Sequence, residues 1–146
     1  MTDPAVQLIE LTAATAQALV DGGGDLFDNP IRPESLAAFL ADPGHLLWYA
    51  VAEGRPVGFA SGSILLHPDK PPQLFINEVG VDEAVRRRGV GRALVARLVD
   101  EARARGCDYA WLGTEVDNEG GNACFGSVPG VKDAGRFVLY EWELDG

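Results

Sequence analysis

Glu78 to Ala93 reads E-V-G-V-D-E-A-V-R-R-R-G-V-G-R-A, and it decides the fold. An apolar run, Leu74 to Val81, predicts a strand. A short basic loop with two glycines follows and opens directly into an amphipathic helix. This order suits a bound pyrophosphate. Glycine lets the backbone come close, the first helical turn carries unpaired N–H groups, and the helix dipole favours an anion. Arg86, Arg87, Arg88 and Arg92 add positive charge at the same point. A Walker loop is excluded, because no Gly-Lys-Ser/Thr ending occurs here. A dinucleotide fingerprint is excluded too, because Gly89-x-Gly91 runs on to Leu94 and lies several residues beyond Val81. The pattern that fits is Arg/Gln-x-x-Gly-x-Gly/Ala, here Arg86-Arg87-Arg88-Gly89-Val90-Gly91.

Composition bounds the rest. The 146 residues suit one domain, and 47% hydrophobic content argues against disorder. The apolar runs fall short of the roughly 20 residues a membrane span needs. No basic-then-apolar leader opens the chain, so a cytoplasmic, soluble protein is expected. Cys107 and Cys124 have neither metal nor disulfide spacing and suit small buried positions; His45 and His67 lie far apart, so no metal site is expected. The net charge of −10 disfavours nucleic acid and anionic membranes. It suits a cationic substrate, or serves solubility alone.

Along the chain, Val6 to Leu11 reads as a strand, with Thr12 capping a helix over Ala13 to Val20. Gly22-Gly23-Gly24 ends that helix and leads into the loop Asp25 to Pro30. Pro33 starts a second helix that stops at Asp42-Pro43-Gly44. Leu46 to Ala52 and Val57 to Leu66 form a hairpin about Glu53-Gly54. Leu74-Phe75-Ile76 suggests a central strand buried on both faces. Val90, Leu94, Val95, Leu98, Val99 and Ala102 make one helical stripe. Tyr109 to Val116 reads as a strand, and Asp117-Asn118 caps a helix through about Val128. Phe137 to Leu144 alternates and predicts a final half-buried strand. The expected order is β-α-α-β-β-β-α-β-α-β. Tyr109 and Tyr140 are expected in the core.

The loop motif together with this order resembles the GNAT superfamily of acyl-CoA N-acyltransferases. The resemblance implies an α/β fold over residues 6–146 as a single domain: a mixed, mostly antiparallel twisted sheet with helices on both faces. It implies acetyl-CoA as cosubstrate, lying where the fourth and fifth strands splay apart. Val79, Gly80 and Val81 then match the strand that pairs with the pantetheine arm. Arg86, Arg87, Arg88, Gly89, Val90, Gly91, Arg92 and Ala93 match the pyrophosphate site. Asn118 matches an asparagine that contacts the cofactor arm, a role compatible with plain helix capping.

Glu78 is the sharpest catalytic candidate. A carboxylate is costly to bury in an apolar strand without a role, and desolvation there would favour a general base. The alternative is a carboxylate facing the cleft and paired with an arginine. The family's usual acid is a tyrosine, and Phe125 stands at its place. Releasing a thiolate near neutral pH costs about 2 kcal/mol, whereas deprotonating a lysine-like ammonium costs about 4.6 kcal/mol. The base is therefore needed more than the acid.

The apolar-acid-apolar strand before V-x-x-x-x-R-R-R-G is similar to the aminoglycoside 3-N-acetyltransferase branch, as are the acidic stretch at Asp117 to Glu119 and, loosely, Asp25 to Pro30. On that resemblance Asp25, Phe27, Asp28, Glu78, Glu115 and Asp117 are expected to contact an amine acceptor. An aminoglycoside-like small molecule is the first expectation. A polyamine, a protein or peptide amine, and a non-catalytic acetyl-CoA sensor are the alternatives. The family also implies a homodimer joined through the final strand.

Overall fold

The computed structural model describes residues 6–145. The elements are β1 (Gln7–Glu10), α1 (Ala16–Gly22), α2 (Pro33–Ala41), β2 (His45–Ala52), β3 (Arg55–Leu65), β4 (Gln73–Val81), α3 (Val90–Ala104), β5 (Tyr109–Trp111) and α4 (Glu119–Gly126). Single 3-10 turns at Gly24–Leu26 and Glu83–Val85 lie between them. The five strands form one sheet in sequential order. Every pairing is antiparallel except β4 with β5, which is parallel.

Local chemistry explains the elements. The β2–β3 hairpin turns on Glu53 and Gly54, both with positive φ (52° and 76°), as a two-residue turn with right-handed strand twist requires. Pro33 begins α2 within its first turn, where a missing N–H costs nothing. The predicted stripe of α3 is its buried face: Val90, Leu94, Val95, Leu98 and Ala102 pack on Leu46, Ala50, Ala60, Leu74 and Ile76 of the sheet. Leu19 of α1 covers the opposite face with Leu47, Tyr49 and Phe59. The Tyr49 hydroxyl donates to the Thr15 carbonyl at 2.7 Å, tying the start of α1 to that layer. Helices thus lie on both faces of a mixed sheet, as expected.

Several boundaries differ. The first helix starts at Ala16, not Ala13, because the Thr15 hydroxyl is used in the preceding turn, accepting from the Thr12 N–H at 2.8 Å. Phe75 is only half-buried, while Leu74 and Ile76 beside it are fully buried, so β4 is covered fully on one face alone. β5 ends at Trp111 instead of Val116. The final strand over Phe137 to Leu144 does not form: no helix or strand follows Gly126 among the described residues. Its alternation specifies two faces, but a strand also needs a ladder partner, and the β4–β5 pairing stops at Phe75 and Trp111. Phe137, Tyr140 and Trp142 are therefore exposed, and Tyr109 and Tyr140 are surface residues instead of core. No helix among the described residues is long and apolar enough to cross a membrane.

Candidate functional site

The site follows from what β4 does at its C-terminal half. Gln73, Leu74 and Phe75 pair with Tyr109, Ala110 and Trp111, and there β5 stops. β4 continues to Val81, held by β3 alone. Opposite Ser61 and Gly62 the register shifts: Ser61 faces Glu78 while Gly62 faces Ile76, leaving Asn77 as the extra, bulged residue. The diverging strands leave a cleft of about 170 Å³. Ile76, Asn77 and Val79 line one side, Leu112, Gly113 and Thr114 the other, with Asn118 and Phe125 of the α4 region completing it.

The basic loop stands at the end of β4. Asp82 starts it: its carboxylate accepts from the Ala84 N–H at 2.9 Å and pairs with Arg55 at 2.8 Å. The Arg55 hydrogen bond, then the Ala84 N–H, hold the Asp82 carboxyl below its ordinary 3.8. Arg87 (φ 68°) and Gly89 (φ 78°) both adopt left-handed backbone, which turns successive N–H groups towards one side. Gly89 is the N-cap of α3; no side chain caps the helix and its first turn holds no acid. Its leading N–H groups are therefore free of side-chain partners, and the dipole there favours an anion. Arg86 is engaged with Glu83 at 3.8 Å, whereas Arg87, Arg88 and Arg92 make no ion pair among the described residues.

Gly91 has a second reason to be glycine. A Cβ there would lie 2.9 Å from the Cys124 Sγ, with Val81 Cγ2 at 3.5 Å. The cysteine keys α4 onto the first turn of α3, and burial pushes its thiol pKa up. Cys107 and Cys124 are half-buried instead of fully buried.

Asn118 caps α4: its Oδ1 accepts from the Gly121 N–H at 3.0 Å, and its Nδ2 donates to Thr114 Oγ1 at 2.9 Å. The capping role is thus filled while the side chain still lines the cleft.

Glu78 departs from the sequence expectation. It is exposed instead of buried, and no ion pair joins it among the described residues. Gly80, two residues on, faces Phe59 and the Leu26 carbonyl, so the α1 side of the sheet is the one Glu78 shares. Phe27 is half-buried and stacks on Phe59 with centroids 4.2 Å apart, which makes it a packing residue of that layer. Asp25 and Asp28 flank it on the surface. Glu115 and Asp117 are exposed beyond the end of β5. The structure thus gathers Val79, Asn118 and Phe125 at the cleft and sets the arginine–glycine loop at its end. Asp25, Phe27 and Asp28 belong to the 3-10 turn and the residues after it, whose Leu26 carbonyl packs against Gly80 of β4 on the Glu78 face and not in the cleft. Asn77 and Thr114 escaped the sequence reading. Thr114 shares the alternation of Ala110 and Leu112, the one signal that points it inward.

No group of three or more histidine, cysteine or acidic side chains among the described residues is disposed to hold a metal. The arrangement offers an anion seat at α3, an extended slot between two strands, and a carboxylate on the strand beside the slot. Such an arrangement suits an extended ligand that ends in an anionic group.

Comparisons with known proteins agree. The Acetyltransferase (GNAT) family profile matches residues 14–127. The N-alpha-acetyltransferase RimI of Mycobacterium tuberculosis is 33% identical over 129 residues, spanning 87% of this chain and 78% of that protein. An L-2,4-diaminobutyric acid acetyltransferase of Nocardia farcinica is 34% identical over 79 residues, 54% of this chain and 40% of that enzyme. Among solved structures, an aminoglycoside acetyltransferase from an uncultured soil metagenomic sample superposes with a TM-score of 0.83 over 98% of this chain and 99% of its own, at 16% identity. Such a likeness speaks for the fold, while the named relatives act on different amines. On its profile, its fold and its cleft, the chain belongs to the GNAT family of acetyl-CoA-dependent N-acetyltransferases.

Proposed function

We propose that this enzyme transfers the acetyl group of acetyl-CoA directly to a primary amine of a small cationic molecule, with an aminoglycoside as the leading acceptor. The observation that carries the reading is the open slot beyond Phe75 and Trp111, which ends at an uncapped helix N-terminus beside three unpaired arginines. Acetyl-CoA supplies the acetyl group as an activated thioester. The N–H groups of Gly89 to Arg92, with Arg87, Arg88 and Arg92, neutralise its pyrophosphate. The free edge of Val79 to Val81 aligns the arm and polarises the carbonyl. Glu78 removes the ammonium proton, directly or through one water. Its exposure fits a base that must meet a solvated acceptor. The net charge of −10, with Asp25, Asp28, Glu115 and Asp117 on the surface, attracts a cation.

A second reading has its own support. The 33% identity to an N-alpha-acetyltransferase over most of the chain favours the α-amine of a polypeptide as acceptor. Mass-detected acetylation across aminoglycosides, polyamines, diaminobutyrate, lysine peptides and peptides with free N-termini separates the two. One aminoglycoside acetylated well above the rest supports the first reading. Preference for free peptide N-termini replaces it with the second.

A further inference from the structure

Phe125 leaves the cleft without the phenol that a departing thiolate would lean on, and the same cleft contains a hydroxyl. Thr114 lines it from the β5 side, half-buried, opposite Ile76 and Val79 of β4. Its orientation is determined by a chain of two hydrogen bonds. The Gly121 N–H can only donate, so the Asn118 oxygen must face it, at 3.0 Å. That leaves the Asn118 Nδ2 to face Thr114, to which it donates at 2.9 Å. The Thr114 Oγ1 is thereby an acceptor on that side, and its own proton must point elsewhere. It meets no acceptor among the described residues. The side chain Phe125 cannot donate, Asn77 is exposed in the bulge, and the Asn118 Nδ2 has spent one of its two N–H groups on Thr114.

We propose that Thr114, oriented by Asn118, donates a hydrogen bond to the sulfur as it leaves, in the place vacated by the phenol at Phe125. The proposal rests on the acetyl-CoA reading of the cleft. As the amine nitrogen bonds to the carbonyl carbon and the carbon–sulfur bond breaks, the bonding pair departs with the sulfur. Thr114 keeps its proton and shares it with that developing charge. Glu78 takes one proton from the ammonium before attack; the nitrogen loses its second proton to solvent as the adduct collapses, and this restores the water that protonates the sulfur. A threonine hydroxyl is too weak an acid to surrender a proton, so stabilisation by hydrogen bonding is the role its chemistry permits.

The test compares CoA with desulfo-CoA, which lacks the sulfur, by titration calorimetry at pH 7.5 and 9.5. In the wild type and in Thr114→Ser, the affinity for CoA relative to desulfo-CoA should rise by about tenfold between the two pH values, the worth of a hydrogen bond to a charged group. In Thr114→Val that rise should vanish while desulfo-CoA binds as before. Turnover in Thr114→Val should fall about tenfold with KM for acetyl-CoA unchanged, and Phe125→Tyr added to it should restore the loss. An equal pH response in wild type and Thr114→Val overturns the proposal. So does equal weakening of both ligands in Thr114→Val, which would make the residue a support for α4 only. Failure of the wild type to bind either ligand would overturn the cleft assignment and this proposal with it.

Discussion

Replacing Gly91 by alanine tests how the two helices at the cofactor end are fitted together. The new methyl would sit 2.9 Å from the Cys124 Sγ, where ordinary contact begins at 3.4 Å. The obstacle is a half-buried side chain in α4, so relief requires the thiol to leave its rotamer or α4 to move off α3. Overpacking of this kind costs about 1–3 kcal/mol. Alanine recovers about 0.5–1 kcal/mol of backbone entropy relative to glycine. Gly91→Ala should therefore lose about 0–2.5 kcal/mol, with a melting temperature lowered by up to several degrees. Cys124→Ala removes the sulfur, and the remaining neighbours, Val81 Cγ2 at 3.5 Å and Val79 Cγ1 at 3.9 Å, leave room for a methyl. In that background Gly91→Ala should be neutral or stabilising. Denaturant unfolding of the four proteins measures the cycle, and a coupling of about 1–3 kcal/mol, the overpacking cost, is expected. Effects that add within about 0.5 kcal/mol would refute the keying of α4 to α3 by this thiol.

Glu78→Gln should lower turnover roughly 100-fold while leaving CoA affinity intact; unchanged steady-state turnover removes Glu78 as base. Gly89→Val should abolish acetyl-CoA binding by calorimetry, because a β-branched residue at φ 78° is strained and would crowd the anion seat; wild-type affinity would sink the loop assignment. The Asp82 carboxyl is held below 3.8, so the stabilisation it gives is fully present above about pH 4 and is lost as pH falls through its folded value. In acid titrations Arg55→Ala should therefore narrow its stability deficit relative to wild type below that range, and a constant gap would contradict the pairing. The exposed apolar run from Phe137 to Leu144 is expected to be covered by a second copy of the chain, so sedimentation should report a dimer at micromolar concentration that Trp142→Glu dissociates; a monomeric wild type refutes this.

The cofactor end was legible because its signals are local. Left-handed backbone demands glycine or strain, an anion seat demands free N–H groups, and Val90 to Ala102 repeats at the helical period. Each can be read within one turn of chain. What the sequence hid depends on partners distant in the chain. Phe137 to Leu144 alternates like a strand, yet nothing in the residues says whether an edge is free to receive it. Glu78 looked buried because its neighbours are apolar; the β-bulge and the early end of β5 put it in solvent. Gly91 could be read from sequence as a phosphate contact or a packing position, and the identity of the packing neighbour, Cys124, depends on how α4 lies. Thr114 carries only the alternation it shares with Ala110 and Leu112, and the direction of its hydroxyl emerges from the orientation that Gly121 imposes on Asn118.

From Ile76 to Val81, β4 has a ladder on one side only. An arm lying along that edge takes the position of a missing strand. Occupancy then completes the secondary structure, and the native state gains RT ln(1 + [L]/Kd), about 2.7 kcal/mol at a hundredfold excess over Kd. The amides of the outer β4 edge and of α4 should be slow to exchange with deuterium when the slot is filled and fast when it is empty, while those of the β2–β3 ladder hardly change. A cell poor in acetyl-CoA would then hold a protein that opens more often and is degraded sooner, so metabolic supply governs how much of this enzyme survives as well as how fast it works.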